Sequence, residues 1–108
     1  MVLALGFAAP LAADMREDLA AAGDAYKRKE YPTALHLLLP LGAQGLVNAQ
    51  NVLGYMYYRG LGVPSDFTEA AKWYRLAAAQ GNAEAQYSVG YLYSLGHGVP
   101  KDDVEAVK

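Results

Sequence analysis

Along the middle of the chain, apolar residues recur at intervals of three and four. Ala49, Val52, Leu53, Met56 and Tyr57 share one face of a helix, and Ala70, Trp73, Tyr74 and Ala77 do the same further on. Polar, glycine-bearing stretches at 60–66 and 80–82 break the period as loops do. The pattern predicts first helices over about 16–29, 48–59 and 83–95, alternating with second helices over about 32–44, 67–80 and 103 to the end. Asp66 with Glu69, and Asp102 with Glu105, have capping-box spacing with Asp in the cap role. Pro32 suits a first helical turn, where its missing N–H costs no bond. Gly45 and Gly81 follow second helices, where a left-handed C-terminal cap favours glycine. Asn82 stands where it caps the next helix.

The elements repeat. Laid over Ala85–Lys108 at an offset of 36, Ala49–Lys72 is identical at thirteen of twenty-four positions, including Gly54/Gly90, Tyr55/Tyr91, Tyr57/Tyr93, Gly60/Gly96 and Gly62/Gly98. The offset extends backwards through Ala34/Ala70 and Gln44-Gly45/Gln80-Gly81, and upstream of these it shortens to 31, pairing Gly23 with Gly54 and Tyr26 with Tyr57. The five missing residues fall in a connecting loop, where length changes are tolerated. Units of about 14–47, 48–83 and an incomplete 84–108 follow, each a helix pair. The expected fold is all-α, a superhelix (solenoid) of two to three antiparallel helix hairpins. Glycine in mid-helix costs roughly 1 kcal/mol against alanine. The recurrence of Gly54 and Gly90 there predicts close backbone approach, with an aromatic ring over the missing side chain.

Composition agrees and narrows the chemistry. Twenty Ala and fifteen Leu with no Ile, in 108 residues, favour helix over strand. A net charge of −2 and a pI near 5.5 leave no basic excess for phosphates, so nucleic acid is not the expected partner. The chain has no cysteine, which excludes disulfides, thiolate metal sites and a cysteine nucleophile. Residues 1–13 are uncharged and apolar. They are too short to span a bilayer, and read either as the remnant of an export signal without its basic start or as a cap on the end of the stack. Export to the periplasm is the preferred expectation, a cytoplasmic location the alternative.

The motif Ala49-Gln50-x-x-Leu53-Gly54-x-x-Tyr57-x-x-Gly60-x-Gly62-Val63-x-x-Asp66 continues as Ala70-x-x-Trp73-Tyr74-x-x-Ala77-Ala78-x-Gln80-Gly81-x-x-x-Ala85-Gln86. It resembles the Sel1-like repeat family, relatives of the tetratricopeptide repeat. Residues 16–45, lacking the glycine loop, look closer to a plain tetratricopeptide hairpin. The resemblance implies an α-solenoid that acts as an adaptor for protein complexes, often in bacterial envelopes and signalling. Two departures stand out. A secreted branch of the family staples its hairpins with disulfides, which this chain cannot do, and Lys108 comes about one turn into a second helix. The second departure implies a fragment of a longer array, or a last first helix, over about 83–95, that lies partly uncovered.

No catalytic constellation emerges. The loops 60–65 and 96–101 lack the preceding strand and third glycine of a dinucleotide fingerprint, and the Gly-Lys-Ser/Thr of a P-loop; they read as structural turns. His36 and His97 stand without ligand-spaced partners, so no metal or cofactor is expected. Some relatives of the family have been linked to β-lactam chemistry, but Ser65, Ser88 and Ser94 all lack the lysine of a Ser-x-x-Lys motif. Glu17-Asp18 and Asp102-Asp103 sit at helix starts, where the helix dipole accounts for them. An envelope hydrolase is set aside because no nucleophile–base pair can be named.

A surface remains. Solenoids of this type present their first helices along a concave groove. With Val52, Leu53 and Met56 turned inward, the opposite stripe is Asn51, Tyr55 and Tyr58, then Tyr87, Tyr91 and Ser94 in the next unit, and Ala20, Asp24 and Lys27 in the first. Tyrosine suits recognition, offering large area, few rotamers and a polar tip. Packing between units competes with the groove as an explanation of Tyr55 and Tyr91. The function expected is a non-enzymatic adaptor that binds a protein or peptide segment in this groove, with no small-molecule substrate. A self-assembling repeat module, associating through its C-terminal end, is the alternative.

Overall fold

The computed structural model describes residues 13–96. The apolar segment before them, the loop at His97, the cap at Asp102 and the helix from 103 lie outside the described residues. Five helices follow one another: α1 (Ala13–Lys27), α2 (Tyr31–Ala43), α3 (Val47–Arg59), α4 (Phe67–Ala79) and α5 (Ala83–Leu95). Each lies within three residues of its expected bounds. Consecutive helices pack on one another, α1 on α2, α2 on α3, α3 on α4 and α4 on α5, the chain of neighbour contacts that defines a solenoid.

The ends of the helices are set by the residues the sequence offers. Asp66 Oδ1 accepts from the Glu69 N–H at 3.0 Å, and Asn82 Oδ1 accepts from the Ala85 N–H at 2.7 Å. Each supplies an acceptor to a first-turn amide that has none within the helix. Pro32 lies in the first turn of α2. Gly60 and Gly96 terminate α3 and α5 in the left-handed conformation, with φ of 73° and 72°. Gly45 and Gly81, after α2 and α4, are also left-handed. The loop at 60–66 is a turn built for packing: a Cβ at Gly62 would lie 2.7 Å from the carbonyl carbon of Tyr31, so the loop rests directly on the start of α2.

The first unit reaches the same turn without glycine. At the offset of 31, Lys29 stands where Gly60 stands, and its φ of 64° makes it the non-glycine residue with left-handed backbone among those described. Here a side chain carries a steric cost that glycine avoids. Lys29→Gly is therefore expected to stabilise the chain by about 0.5–1 kcal/mol, a few degrees in melting temperature, since the gain outweighs glycine's looser unfolded state. Unchanged or lower stability in thermal unfolding would show that the lysine side chain contributes more than its backbone costs.

Two buried clusters organise the interior. Ala22 and Ala25 of α1, Ala34, Leu38 and Leu41 of α2, Ala49, Leu53 and Met56 of α3, and Trp73 of α4 form the first. Ala70, Ala71, Tyr74 and Ala77 of α4 with Ala85 and Leu92 of α5 form the second. Tyr57 packs against both. The many alanines let helix axes approach closely, and the glycines take this further. A Cβ at Gly54 would lie 2.7 Å from Cδ1 and Cε1 of Tyr74, so the tyrosine ring lies on the bare backbone of α3, as expected of this position. Gly42, in α2, is filled the same way by Leu53 and Trp73.

Between units the joint is polar. Buried Gln50 donates from Nε2 to the Gly42 carbonyl at 3.0 Å and accepts at Oε1 from Gln80 Nε2 at 2.9 Å. Gln80 also donates to the Gly45 carbonyl. One unit later, Gln86 Nε2 donates to the Ala78 carbonyl at 3.2 Å, the same bond displaced by 36 residues at both ends. The repeated Ala-Gln is thus a side-chain clasp onto the end of the preceding second helix, adding a second donor to a carbonyl that already accepts from the glycine N–H three residues on.

Candidate functional site

Helices α1, α3 and α5 lie along one side of the molecule, and a groove runs between them. Its larger cavity, about 470 Å³, is lined by Tyr26 of α1, Asn51, Val52 and Tyr55 of α3, Tyr74 of α4, and Glu84, Tyr87 and Ser88 of α5. A smaller cavity of about 150 Å³ adjoins it, sharing Tyr55, Tyr74, Tyr87 and Ser88 and adding Tyr58, Tyr91 and Leu92. Six tyrosines thus converge from four helices.

Of the stripe expected from sequence, Asn51, Tyr55, Tyr58, Tyr87 and Tyr91 line these cavities. Asp24 and Lys27 are exposed on α1 but are not among the lining residues, and Ser94 donates its hydroxyl to the Tyr91 carbonyl at 2.8 Å. Leu53 and Met56 are fully buried, whereas Val52 is half-buried and contributes to both core and groove. Tyr87 is the most exposed large apolar side chain described, at 75%. Its ring stacks on Tyr91, with centroids 6.5 Å apart and planes 15° from parallel. Tyr58 is less open: it packs against Phe67 at 5.3 Å and against the second cluster.

Tyr26, Tyr74, Glu84 and Ser88 were not foreseen. Glu84 lies three residues before Tyr87, so extending the same stripe by one turn reaches it, whereas Ser88 stands one unit after Val52, a position expected to face inward. Tyr74 carried the opposite signal, because its spacing marks a core face. Its ring is indeed buried over Gly54, while its hydroxyl end reaches the cavity wall at Ser88.

The groove joins its helices through polar contacts. Asn51 Nδ2 donates to Glu84 Oε1 at 2.8 Å, tying α3 to α5, and the Ser88 hydroxyl donates to the Glu84 carbonyl at 3.1 Å. Arg59 lies over the Tyr55 ring, its Cζ 5.7 Å from the centroid, and donates from Nη1 to the Tyr55 hydroxyl at 2.9 Å. Burial pushes the Tyr74 phenol up to about 12; Glu84 and the neighbouring tyrosines add to this, and the Ser88 hydrogen bond opposes it. Tyr26, Tyr57 and Tyr58 are raised in the same direction, again chiefly by burial. The Tyr26, Tyr58 and Tyr74 hydroxyls therefore stay neutral donors and acceptors at physiological pH.

A phenol raised on folding keeps its proton longer in the native state than in the unfolded chain. Its contribution to stability is full below pH 10 and is lost as pH rises from there through about 12. For Tyr74 this amounts to about 1–2 kcal/mol, with allowance for the part of the ring edge that water reaches. The melting temperature is expected to fall between pH 10 and 12, and Tyr74→Phe to flatten that fall. An equally steep fall in the variant would place the alkaline sensitivity elsewhere.

Among the described residues no group of three or more His, Asp or Glu side chains is placed to hold a metal ion. In the loop at 60–66 the Gly60 and Leu61 N–H groups donate to the Met56 carbonyl and the Asp66 N–H to the Tyr57 carbonyl.

Comparison with known proteins agrees with the architecture. No curated protein is a significant match. Among solved structures, a Sel1 repeat protein from Oxalobacter formigenes superposes with a TM-score of 0.77 at 42% identity, over 82% of this chain and 37% of that one. A protective antigen of uropathogenic Escherichia coli strains displaying an SLR fold gives 0.81 at 32% identity, over 86% of this chain and 21% of that one. The chain thus spans well under half the length of either neighbour. Such repeat proteins are generally non-catalytic scaffolds for protein interaction. The Sel1 repeat matches residues 47–82 and 83–108, more than half of the sequence, and the chain belongs to the Sel1 repeat family.

Proposed function

We propose that this chain is a binding module that takes a protein or peptide segment into the tyrosine-lined groove between α1, α3 and α5. The observation that carries the reading is Tyr87, three-quarters exposed at the rim of a cavity of about 470 Å³ that three other tyrosines line. A ring of that size held open to water is poorly used as packing and well used as an anchor, since aromatic burial dominates recognition sites. The phenol hydroxyls and the Asn51 and Ser88 side chains add hydrogen-bonding positions that fix the orientation of a bound backbone.

Site-specific photocrosslinking tests this. With p-benzoylphenylalanine introduced at Tyr87, the chain is expected to label a discrete partner in extracts of its source cells. The same probe at Leu76, exposed on α4, is expected not to label that partner. Adding Tyr55→Ala to the position-87 probe is expected to weaken the labelling. Equal labelling from both positions, or none from position 87, rejects the groove as the binding surface.

A further inference from the structure

We infer that the groove selects an arginine side chain of its partner segment, stacked on Tyr87 beside the Glu84 carboxylate; this rests on the groove being the binding surface. Glu84 is exposed, three residues from Tyr87 on α5, and both line the larger cavity. A first-turn position accounts for an acidic residue there through the helix dipole. It does not account for the side chain reaching across to Asn51 of α3, which holds one carboxylate oxygen at 2.8 Å and fixes the charge at the cavity wall. Among the described residues the one ion pair is Lys72–Glu69, and Glu84 meets no cation there. The position one unit earlier is Asn48 and that of Tyr87 is Asn51, so the Glu–Tyr pair is particular to α5 and owes nothing to the repeat pattern.

Beside Asn51, Val52 and Ser88, the cavity is lined by four tyrosines, whose ring faces carry negative potential and attract cations. The chain shows this preference itself, twice. Arg59 lies over Tyr55, and Arg75 lies over Tyr93 with its Cζ 5.2 Å from the centroid, and each arginine also donates to the hydroxyl of the ring it covers. Arginine suits the site better than lysine because its flat guanidinium stacks on the ring while its edge remains able to meet a carboxylate in two places. The groove is also polarised. Arg59 is eight residues beyond Asn51 on α3, about 12 Å along the axis, so a cation is directed to the Glu84 end and away from the other.

Panning a phage-displayed library of random dodecapeptides on the intact chain separates the two levels of this reading. Enriched peptides are expected to share an arginine, and to lose binding to the Tyr87→Ala chain. Replacing that arginine by citrulline, its neutral isostere, is expected to weaken a synthetic peptide about tenfold. Glu84→Gln in the chain is expected to produce a similar loss, with little further effect once the peptide already carries citrulline. Circular dichroism verifies that both variants retain their helices. Peptides that need Tyr87 but share no basic residue, or that bind the Glu84→Gln chain unchanged, overturn the arginine inference and leave the groove standing. Peptides indifferent to Tyr87→Ala, or no enrichment at all, overturn both.

Discussion

Gly54→Val is expected to destabilise the chain by about 3 kcal/mol, lowering its melting temperature on the order of 15 °C, while Gly23→Val stays within about 0.5 kcal/mol of the parent. The two glycines occupy the same repeat position, so propensity treats them alike: valine is slightly the better helix residue at both. Packing separates them. At Gly54 the added Cβ would meet three atoms of the Tyr74 ring at 2.7–2.8 Å, and at Gly23 it would meet nothing within 4 Å. The difference traces to the second helix, where Leu38 stands one offset of 36 before Tyr74. The Tyr74 ring is pinned between α3 and the second cluster, so it cannot retreat without opening that cluster. Urea or thermal unfolding of the two variants decides the matter; equal effects would mean that the Gly54–Tyr74 contact is not what holds α4 on α3.

The second large effect is expected at the centre of the first cluster. Leu53 is wholly buried, and Leu53→Ala is expected to cost about 2–5 kcal/mol through lost transfer energy and the cavity left behind. The neighbour that gives this test its specificity is Gly42. A Cβ there would lie 2.6 Å from Leu53 Cδ1 and 2.9 Å from Trp73 Cζ3. Gly42→Ala alone is therefore expected to cost about 1–3 kcal/mol by overpacking. In the Leu53→Ala background the new methyl enters vacated space and only the tryptophan contact remains. The double variant is expected to be more stable than the sum of the single changes by about 1 kcal/mol or more. Strict additivity in urea midpoints would show that α2 and α3 relax independently at this contact.

Much of the architecture was legible because duplication wrote it twice. An identity shared by Gly54 and Gly90 is a question the sequence asks about backbone approach, and the Tyr74 ring answers it at Gly54. Asp66 and Asn82 announced helix starts by side-chain chemistry that acts within four residues. What lacks a repeated counterpart was silent. Gly42 aligns with Ala78, so nothing marked its close contact with Leu53 and Trp73. Pro40, inside α2, denies the His36 carbonyl its helical donor, yet the helix continues to Ala43. In the groove, periodicity located the Cβ of each residue but not the reach of long side chains. Tyr74 is a core residue by spacing and a groove residue at its hydroxyl, and Tyr26 extends from the buried face of α1 while packing edge-on against Tyr31. Glu84 was overlooked for a different reason: at a helix start an acidic residue has a sufficient local explanation, and only the bond to Asn51 across the groove gives it a second one.

The helix pair α3–α4 coincides with the first matched repeat, yet the interior is not divided there. Leu53 and Met56 of α3 belong with α1 and α2, whereas Ala70, Tyr74 and Ala77 of α4 belong with α5, and Trp73 alone turns back. The segment that is copied as a unit therefore closes on itself through the Tyr74 ring on Gly54, yet shares each of its two interiors with a neighbour. A unit gained or lost by recombination keeps every interior complete only when whole periods are exchanged, because each new α3-like helix then finds the second helix of its predecessor and each new α4-like helix the first helix of its successor. The boundary of the copied unit and the boundaries of the interiors do not coincide, and that sharing is what binds neighbouring copies into a single cooperative body.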